Sequence, residues 1–286
     1  MTTLTKQSGL RRTWESLSVI TRSRVAMIGL ALVLFWVLVA IFAPLIAPHD
    51  PLAQDSKAIN QGPSALHPMG TDKLGRDVMS RLIFGARTIL LLAPISVLAA
   101  VIVGMFLGLL GCYFGGLVDE IVMRVLDAIM AFPTILLYLI IISAIGPSAL
   151  NVVVAITFVG APGVARLVRS LALDIRTRDY IRAAETRGEN PFYIMFVEIL
   201  PNARGPLIID SMLRVGYAIF AIGTLGFLGL GLPPPTPDWG GMINEARRYI
   251  WTNPLGVLWP ALAISSLVVG LNLFADGLRE ESTRYQ

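Results

Sequence analysis

The sequence predicts an all-α, polytopic membrane protein with six transmembrane helices. Of its 286 residues, 55% are hydrophobic and only 15% are charged, and the mean hydropathy is +0.70. A soluble domain of this length needs more charge to cover its surface. Several stretches run for about 20 predominantly apolar residues, the length of helix that crosses a hydrocarbon core of about 30 Å. The single cysteine, Cys112, rules out a disulfide framework or a cysteine metal cluster within the chain.

Each predicted span corresponds to one apolar stretch. The basic leader before the first stretch has no small-residue cleavage site, so we interpret the first span as a retained anchor rather than a signal peptide. Residues 48–81 are polar and rich in Pro and Gly, which predicts a loop with a short helix at its end. The third span is expected to continue an interfacial helix that begins at Val118. The predicted spans are residues 25–47, 86–111, 130–145, 151–173, 207–232 and 255–274.

The distribution of Lys and Arg predicts the orientation in the membrane. With a cytoplasmic N-terminus, 15 of these residues fall in cytoplasmic segments and 7 in outer segments, while Arg214 lies within a span. Basic residues collect on the cytoplasmic side, so both termini are expected there. Trp239, Trp251 and Trp259 would then lie near the outer face, where tryptophan rings anchor. The same bias accounts for the net charge of +4, and no nucleic-acid partner is predicted.

A polar segment at residues 177–201, TRDYIRAAETRGENPFYIMFVEILP, separates the fourth and fifth spans on the predicted cytoplasmic side. Asp179 is expected to cap a short helix, and Gly188 supplies the left-handed residue that ends it. Asn190 then caps a second helix that opens on a proline. The segment is therefore predicted to form a helix, a turn and a second helix, closed by Pro201.

Two features of this segment predict a docking surface. Ala183 and Ala184 form a small-residue patch that the surface of a partner can approach closely. The second helix carries more apolar surface than a free cytoplasmic loop exposes, so part of it is expected to pack on the spans and the rest to fit a groove in another protein. The apolar residues concerned are Phe192, Tyr193, Met195 and Phe196. The alternative is an interfacial helix that lies on the lipid headgroups.

Glycines are spaced for close helix packing in two places. Gly104, Gly108, Gly111 and Gly115 form small-xxx-small pairs, which let helices approach closely in lipid. The facing helix could belong to this chain or to a partner.

A second group of glycines, at 226, 229 and 231, is predicted to loosen the outer end of the fifth span. This end is either a plain helix terminus or an outer gate.

Neither a metal site nor a nucleotide site is predicted from the outer loop. His67, Asp72 and Asp77 are residue types that bind metals, but the acids stand beside Lys73 and Arg76, so ordinary ion pairs are favoured. The stretch TDKLGRD lacks the Gly-Lys-Ser/Thr ending and the preceding strand of a phosphate-binding loop.

Titratable residues within the spans are scarce, which disfavours several classes of membrane protein. Asp210 and Arg214 are four residues apart near one end of a span, where they can pair. The spans carry neither the mid-membrane relay of a proton-coupled transporter nor the filter of a channel. Two histidines, both in the outer loop, supply too few convergent groups for a membrane enzyme. A non-transporting membrane scaffold with a docking segment remains an alternative.

The spacing in residues 177–201 resembles a known docking loop. Ala183, Ala184 and Gly188, followed by Leu200 and Pro201, resemble the EAA loop of the membrane subunits of bacterial ABC importers. In that family the loop inserts into a cleft of the ATPase subunit and transmits its closure to the spans. Arg182 stands where the family often has Glu, which removes any ion pair specific to that Glu.

Two further blocks are similar to the C-type permease subunits of dipeptide, oligopeptide and nickel importers. HPMGTDKLGRDVMSRLIFGART, at 67–88, is similar to the segment before the second span, and the GCYFGGLVDEIVMRVLD that follows also resembles this group. GFLGLGLPPPTPDWGGMINEAR, at 226–247, is similar to the end of the fifth span and the loop beyond it. The blocks occur in the family's order.

The resemblance implies a type I ABC importer permease fold, with a five-helix core and one added N-terminal helix. It implies a cytoplasmic segment at 1–24, the first helix and a periplasmic loop at 25–83, the core at 84–276 and a cytoplasmic tail at 277–286. An outer gate and a contact for a binding protein are expected at Asp72, Gly229, Gly231 and Trp239.

The resemblance also implies an assembly in the bacterial inner membrane. The expected partners are a second, homologous permease, two ATPase subunits that use ATP and Mg²⁺, and a periplasmic solute-binding protein. The chain itself is expected to bind no cofactor and to catalyse no reaction. The solute is expected to be a di- or oligopeptide, with nickel, glutathione or an oligosaccharide as alternatives.

Overall fold

The computed structural model describes residues 23–284, and the side chains only as far as residue 279. This part of the chain is helical throughout, apart from its loops and one isolated bridge between Thr71 and Asp77. The helices are α1 Arg24–Ile41, α2 Ala43–Ile46, α3 Val78–Phe114, α4 Gly116–Met130, α5 Thr134–Ile145, α6 Ala149–Arg176, α7 Asp179–Thr186, α8 Pro191–Tyr193, α9 Leu200–Phe227, α10 Trp239–Ala246 and α11 Leu255–Arg284. The predicted cytoplasmic leader before residue 23 and the last two residues of the predicted tail lie outside the described residues.

Five helical stretches within residues 23–284 are long and apolar enough to cross a membrane: α1, α3, α6, the stretch Pro191–Phe227, and α11. The predicted third span corresponds to α4 and α5, which are bent by 90° at the break between them and give a sixth crossing if they count as one. The all-α membrane fold is therefore confirmed.

The second long helix begins eight residues before the predicted start at 86. Its N-cap is Asp77, whose carboxylate accepts a hydrogen bond from the Ser80 backbone N–H at 2.7 Å. The short helix predicted at the end of the outer loop is therefore the first part of α3.

The most extensive helix contact joins α3 to α6. A Cβ added to Gly104 would lie 2.5 Å from the Ala161 carbonyl oxygen, and one added to Gly108 would lie 2.5 Å from the Ala165 carbonyl oxygen. No side chain fits at either position, so the two backbones approach directly. The facing helix belongs to this chain.

The other two glycines of the predicted packing pairs have different neighbours. Gly111 faces Asp119 of α4 rather than α6. Gly115 has no atom near the position of an added Cβ, and its φ of +62° ends α3. Within this chain Gly115 serves the turn between α3 and α4, and a packing role against a partner's helix stays a prediction.

The N-terminal helix is built into the bundle by contact with the last helix. A Cβ on Gly29 of α1 would lie 2.4 Å from the Phe274 backbone nitrogen of α11. The Trp36 indole N–H donates to the Ser266 hydroxyl at 3.0 Å. These contacts fix α1 against α11.

The α3–α6 contact can be tested with matched substitutions of glycine by alanine. We expect Gly108→Ala to lower stability by about 1–3 kcal/mol, because the added methyl overpacks against the α6 backbone. Gly160→Ala is the control, since its Cβ would approach only the Ala100 methyl, at 3.3 Å. Thermal unfolding of the purified variants in detergent measures both effects. Equal stability of the two variants would contradict the assignment of Gly108 to a backbone contact.

Candidate functional site

Segment 177–201 folds as the predicted helix and turn, but its first helix begins differently. Gly188 has a φ of +74° and ends α7. The Asn190 side chain accepts a hydrogen bond from the Phe192 N–H at 2.9 Å, as an N-cap does. Asp179, the predicted cap, is instead the first residue of α7, and the N-cap position is occupied by Arg178, whose side chain makes no capping bond.

The second helix does not close at Pro201. It passes through a π-helical turn at Ile194–Ile199 and continues directly into α9. Proline lacks an N–H, and its ring crowds the carbonyl four residues earlier. The wider π turn contains Val197, the residue four positions before Pro201, and so accommodates this crowding. The helix changes its hydrogen-bond pattern there without ending. The predicted closure at Pro201 is therefore wrong.

One face of segment 177–201 is buried against the bundle. Ile181, Ala184, Ile194 and Ile199 have no solvent exposure, and Met195 is 1% exposed. They join a hydrophobic cluster with residues of α3, α6 and the start of α9, namely Leu109, Cys112, Val164, Val168, Ala172, Ile175, Ala203 and Leu207. Leu200 packs at the edge of this cluster. The segment is thus anchored on the ends of α3 and α6, and Met195 belongs to the part of the second helix that packs on the spans, as expected.

The opposite face of the segment is open to solvent. Arg182, Ala183 and Gly188 are exposed, and Phe192 and Tyr193 are 52% and 43% exposed. Ala183 and Ala184 therefore have different roles, since only the first lies on the outer surface. This surface combines a small residue, a glycine turn and two half-exposed rings, which suits contact with the groove of a partner.

Polar contacts fasten the same end of the bundle. The Arg169 guanidinium donates to both carboxylate oxygens of Asp119, at 2.6 and 2.5 Å, and so links α6 to α4. The Arg176 guanidinium donates to the Cys112 carbonyl at 2.8 Å and lies over the Tyr113 ring. In the sequence, these arginines contribute to the predicted orientation only as charges. Their partners are about 50 residues or more away, and no local spacing indicates them.

A cluster of four charges lies at the opposite end of the bundle. Asp72 pairs with Arg76 at 2.7 Å and with Arg81, and both arginines also contact Glu245, at 2.7 and 2.8 Å. The predicted pairing of Asp72 with Arg76 is confirmed. The Asp72 side chain is only 11% exposed and fully engaged. Its expected contact with a binding protein stays a prediction.

Trp239 lies in the core and not at the outer face. It has no solvent exposure, its indole N–H donates to the Leu82 carbonyl at 2.8 Å, and its ring meets that of Trp36. Gly85 leaves the room that this indole occupies. The predicted interfacial anchor and binding-protein contact at Trp239 is therefore wrong, whereas Trp251 is 95% exposed.

The loop before Trp239 is held by backbone turns and a buried acid. Gly229 ends α9 with a φ of +81°, and an added Cβ on Gly231 would collide with Gly226. The Asp238 carboxylate accepts hydrogen bonds from the Gly240 and Gly241 N–H groups. Burial raises the pKa of Asp238 to about 6, although these hydrogen bonds lower it. An outer gate at Gly229 and Gly231 stays a prediction.

These features can be compared with known proteins. Residues 100–280 match the family described as the inner membrane component of binding-protein-dependent transport systems. This stretch covers more than half of the chain and contains segment 177–201. The chain belongs to this family. Residues 11–63 match a second description, the N-terminal transmembrane domain of oligopeptide transport permease C.

Curated members of the permease family are similar to this chain over most of its length. It is 39% identical over 266 residues to the dipeptide transport system permease protein DppC of Alkalihalophilus pseudofirmus, covering 93% of this chain and 88% of the relative. It is 39% identical over 260 residues to the glutathione transport system permease protein GsiD of Pectobacterium atrosepticum, covering 91% and 86% of the two chains.

A solved structure supports the permease fold. A chain of the MetNI methionine ABC transporter, in an inward facing conformation, superposes with a TM-score of 0.57 and 20% identity. The match covers 72% of this chain and 97% of the other. The type I importer permease fold is therefore confirmed. Family membership and the curated relatives make the chain a transport component rather than an enzyme.

The turn at Gly188 can be tested separately from its surface. An added side chain at Gly188 meets no neighbouring atom, so only the left-handed backbone opposes it. We expect Gly188→Val to weaken the local fold by about 1–2 kcal/mol, because a β-branched residue resists positive φ. Gly188→Asn is the control, since asparagine adopts this conformation more readily. Faster amide hydrogen exchange over residues 181–194 in the valine variant alone is the expected result, and equal exchange in both would contradict it.

Proposed function

We propose that this chain is one of two permease subunits of an ATP-driven importer that moves di- and oligopeptides across a bacterial inner membrane. Family membership implies that it works with other transporter components. In the proposed complex a second, homologous permease completes the path, and two ATPase subunits bind and hydrolyse ATP with Mg²⁺. A periplasmic binding protein delivers the solute. Segment 177–201 and both termini face the cytoplasm.

The observation that carries this proposal is the two-sided construction of segment 177–201. Its inner face is buried among side chains of α3 and α6, while Ala183 and Gly188 stay exposed on the outer face. A push on the exposed turn would therefore reach two membrane-spanning helices without a flexible joint. This is the arrangement expected of a loop that couples ATPase closure to alternating access.

A cleft between α3, α5, α6 and α9 supports a solute path on this chain. Its volume is about 320 Å³, and its walls are mostly apolar. The polar groups on its walls are few and include those of Thr134, Tyr138, Arg214 and Thr224. Tyr217 and Phe220 of α9 also line the cleft, and they are 74% and 59% exposed. We propose that the second permease covers this face and closes the path.

The weakly polar lining suits solutes that vary in side chain, as peptides do, because it has few polar groups that would bind only one particular solute. In this proposal the binding protein supplies most of the selectivity. Glutathione is the second candidate solute, because a relative named as a glutathione permease is as similar to this chain as one named as a dipeptide permease.

Docking of the ATPase can be tested at Ala183. We expect Ala183→Asp to weaken ATPase binding at least about tenfold, equivalent to 1.4 kcal/mol. Co-purification of the ATPase subunits should then be lost, and dipeptide uptake should fall. Ala183 is exposed, so the folded permease should be retained. Ala184 is fully buried, and aspartate there would disrupt the fold instead.

The matched control is Ala53→Asp, at an exposed alanine of the outer loop. It should leave ATPase binding and uptake unchanged. If Ala183→Asp binds the ATPases and imports dipeptide like the control, the proposed coupling surface is wrong.

The two candidate solutes are distinguished by competition. Uptake of labelled dipeptide is measured in the presence of excess unlabelled glutathione or excess unlabelled dipeptide.

A further inference from the structure

A second cluster of side chains lies near the charged cluster, where the outer loop meets the start of α3. His49, from the loop that follows α2, and His67, from later in that loop, both face Asp77, the N-cap of α3. The Asp77 Oδ1 atom lies 3.0 Å from His67 Nδ1 and 3.9 Å from His49 Nδ1. One potential ligand atom from each residue lies within 4.8 Å of the others.

The Asp77 carboxylate is oriented by contacts on its other oxygen. Its Oδ2 accepts hydrogen bonds from the Ser80 N–H at 2.7 Å and from the Ser80 hydroxyl at 2.8 Å. The same hydroxyl accepts a hydrogen bond from the His49 backbone N–H at 3.0 Å. Ser80 therefore holds two members of the cluster at once and leaves Oδ1 directed at the two imidazoles. Outer hydrogen bonds of this kind orient the ligands of metal sites.

One polar atom in the cluster lacks a partner. His49 Nδ1 is buried and makes no hydrogen bond, although the rest of its side chain is 32% exposed. A buried ring nitrogen without a partner is costly and calls for an explanation. The neighbouring carboxylate is fully buried, and the second imidazole is 9% exposed.

We propose that His49, His67 and Asp77 bind a divalent transition-metal ion of the Zn²⁺ class. Two imidazole nitrogens and one carboxylate oxygen form a donor set that such ions favour. A bound ion would use the free His49 Nδ1 and would replace the hydrogen bond between His67 and Asp77. The fourth position would be open to solvent beside the partly exposed His49.

The geometry requires His49 to move toward both of the other ligands, since the two imidazole nitrogens, which lie within 4.8 Å of each other, must also come closer together. Ligands about 2.0–2.1 Å from a tetrahedral ion lie about 3.3 Å from one another. The spacing of His67 Nδ1 and Asp77 Oδ1 is close to this value, whereas His49 must approach by about 0.6 Å relative to its 3.9 Å spacing. His49 lies on irregular backbone between two helices, where such a movement disturbs no helical hydrogen bond.

The ion would join the loop after α2 to the first turn of α3 and brace the outer end of the bundle. This differs from the ion pairs predicted from sequence. Those pairs form at Asp72, whereas Asp77 has no Lys or Arg partner among the described residues. The inference does not depend on the transported solute or on the ATPase partners.

The experiment uses the full chain, purified in detergent through an affinity tag without histidine and stripped with a chelator. Zn²⁺ is then titrated against a competing indicator dye, and bound zinc is counted by mass spectrometry. The expected result is one tightly bound Zn²⁺ per chain together with a higher Tm. His49→Ala and His67→Ala should each weaken binding at least about tenfold.

Asp50→Asn is the matched control, because Asp50 is an exposed acid next to His49 and lies outside the cluster. It should bind zinc like the parent chain. His49→Ala keeps the assignment testable if His67→Ala fails to fold, since His49 is the more exposed histidine. Less than one equivalent of tightly bound zinc in the parent chain, or unchanged affinity in His49→Ala, would overturn the proposal.

Discussion

The direct contact between the backbones of α3 and α6 is the constraint on which the rest of this structure depends. Lipid tails give no hydrophobic drive for association between spans, so close packing must supply it. Gly104 and Gly108 provide this packing, because neither has room for a side chain against α6. The contact places Leu109 of α3 in one hydrophobic cluster with Val164 and Val168 of α6, and the buried face of segment 177–201 packs against this cluster.

The two ends of the bundle are held by different kinds of contact. At the end that carries segment 177–201, apolar burial is reinforced by the Arg169–Asp119 pair. At the other end, charged residues from α3 and its preceding loop meet Glu245 of α10, and Trp239 inserts above Gly85. Both ends are therefore tied to α3. In the proposed mechanism, α3 is the element through which a push at segment 177–201 would reach the loops at the other end of the bundle.

The sequence predicts the membrane fold and its spans, because the length of an apolar stretch is a local signal. It also predicts the helix-turn-helix, because Gly188 and Asn190 determine the turn through their own backbone and side chain. The continuation of the helix through Pro201 could not be predicted, since a proline inside a helical pattern normally predicts a break, and here a π turn takes its place. The burial of Trp239 was missed for a related reason. Tryptophan suits an interface as well as a core, and only the distant Trp36 and Gly85 decide between the two. Long-range ion pairs leave no local pattern at all.

The central claim is that segment 177–201 moves with α6 as one body when the assembled transporter changes state. The most direct measurement is the distance between spin labels at Thr186→Cys and Leu150→Cys, two exposed positions at opposite ends of this unit. The native Cys112 is buried and should remain unlabelled. The account predicts the same distance distribution with and without ATP, while distances between the two permeases change. A nucleotide-dependent shift between these two labels, as large as the shift between subunits, would contradict it.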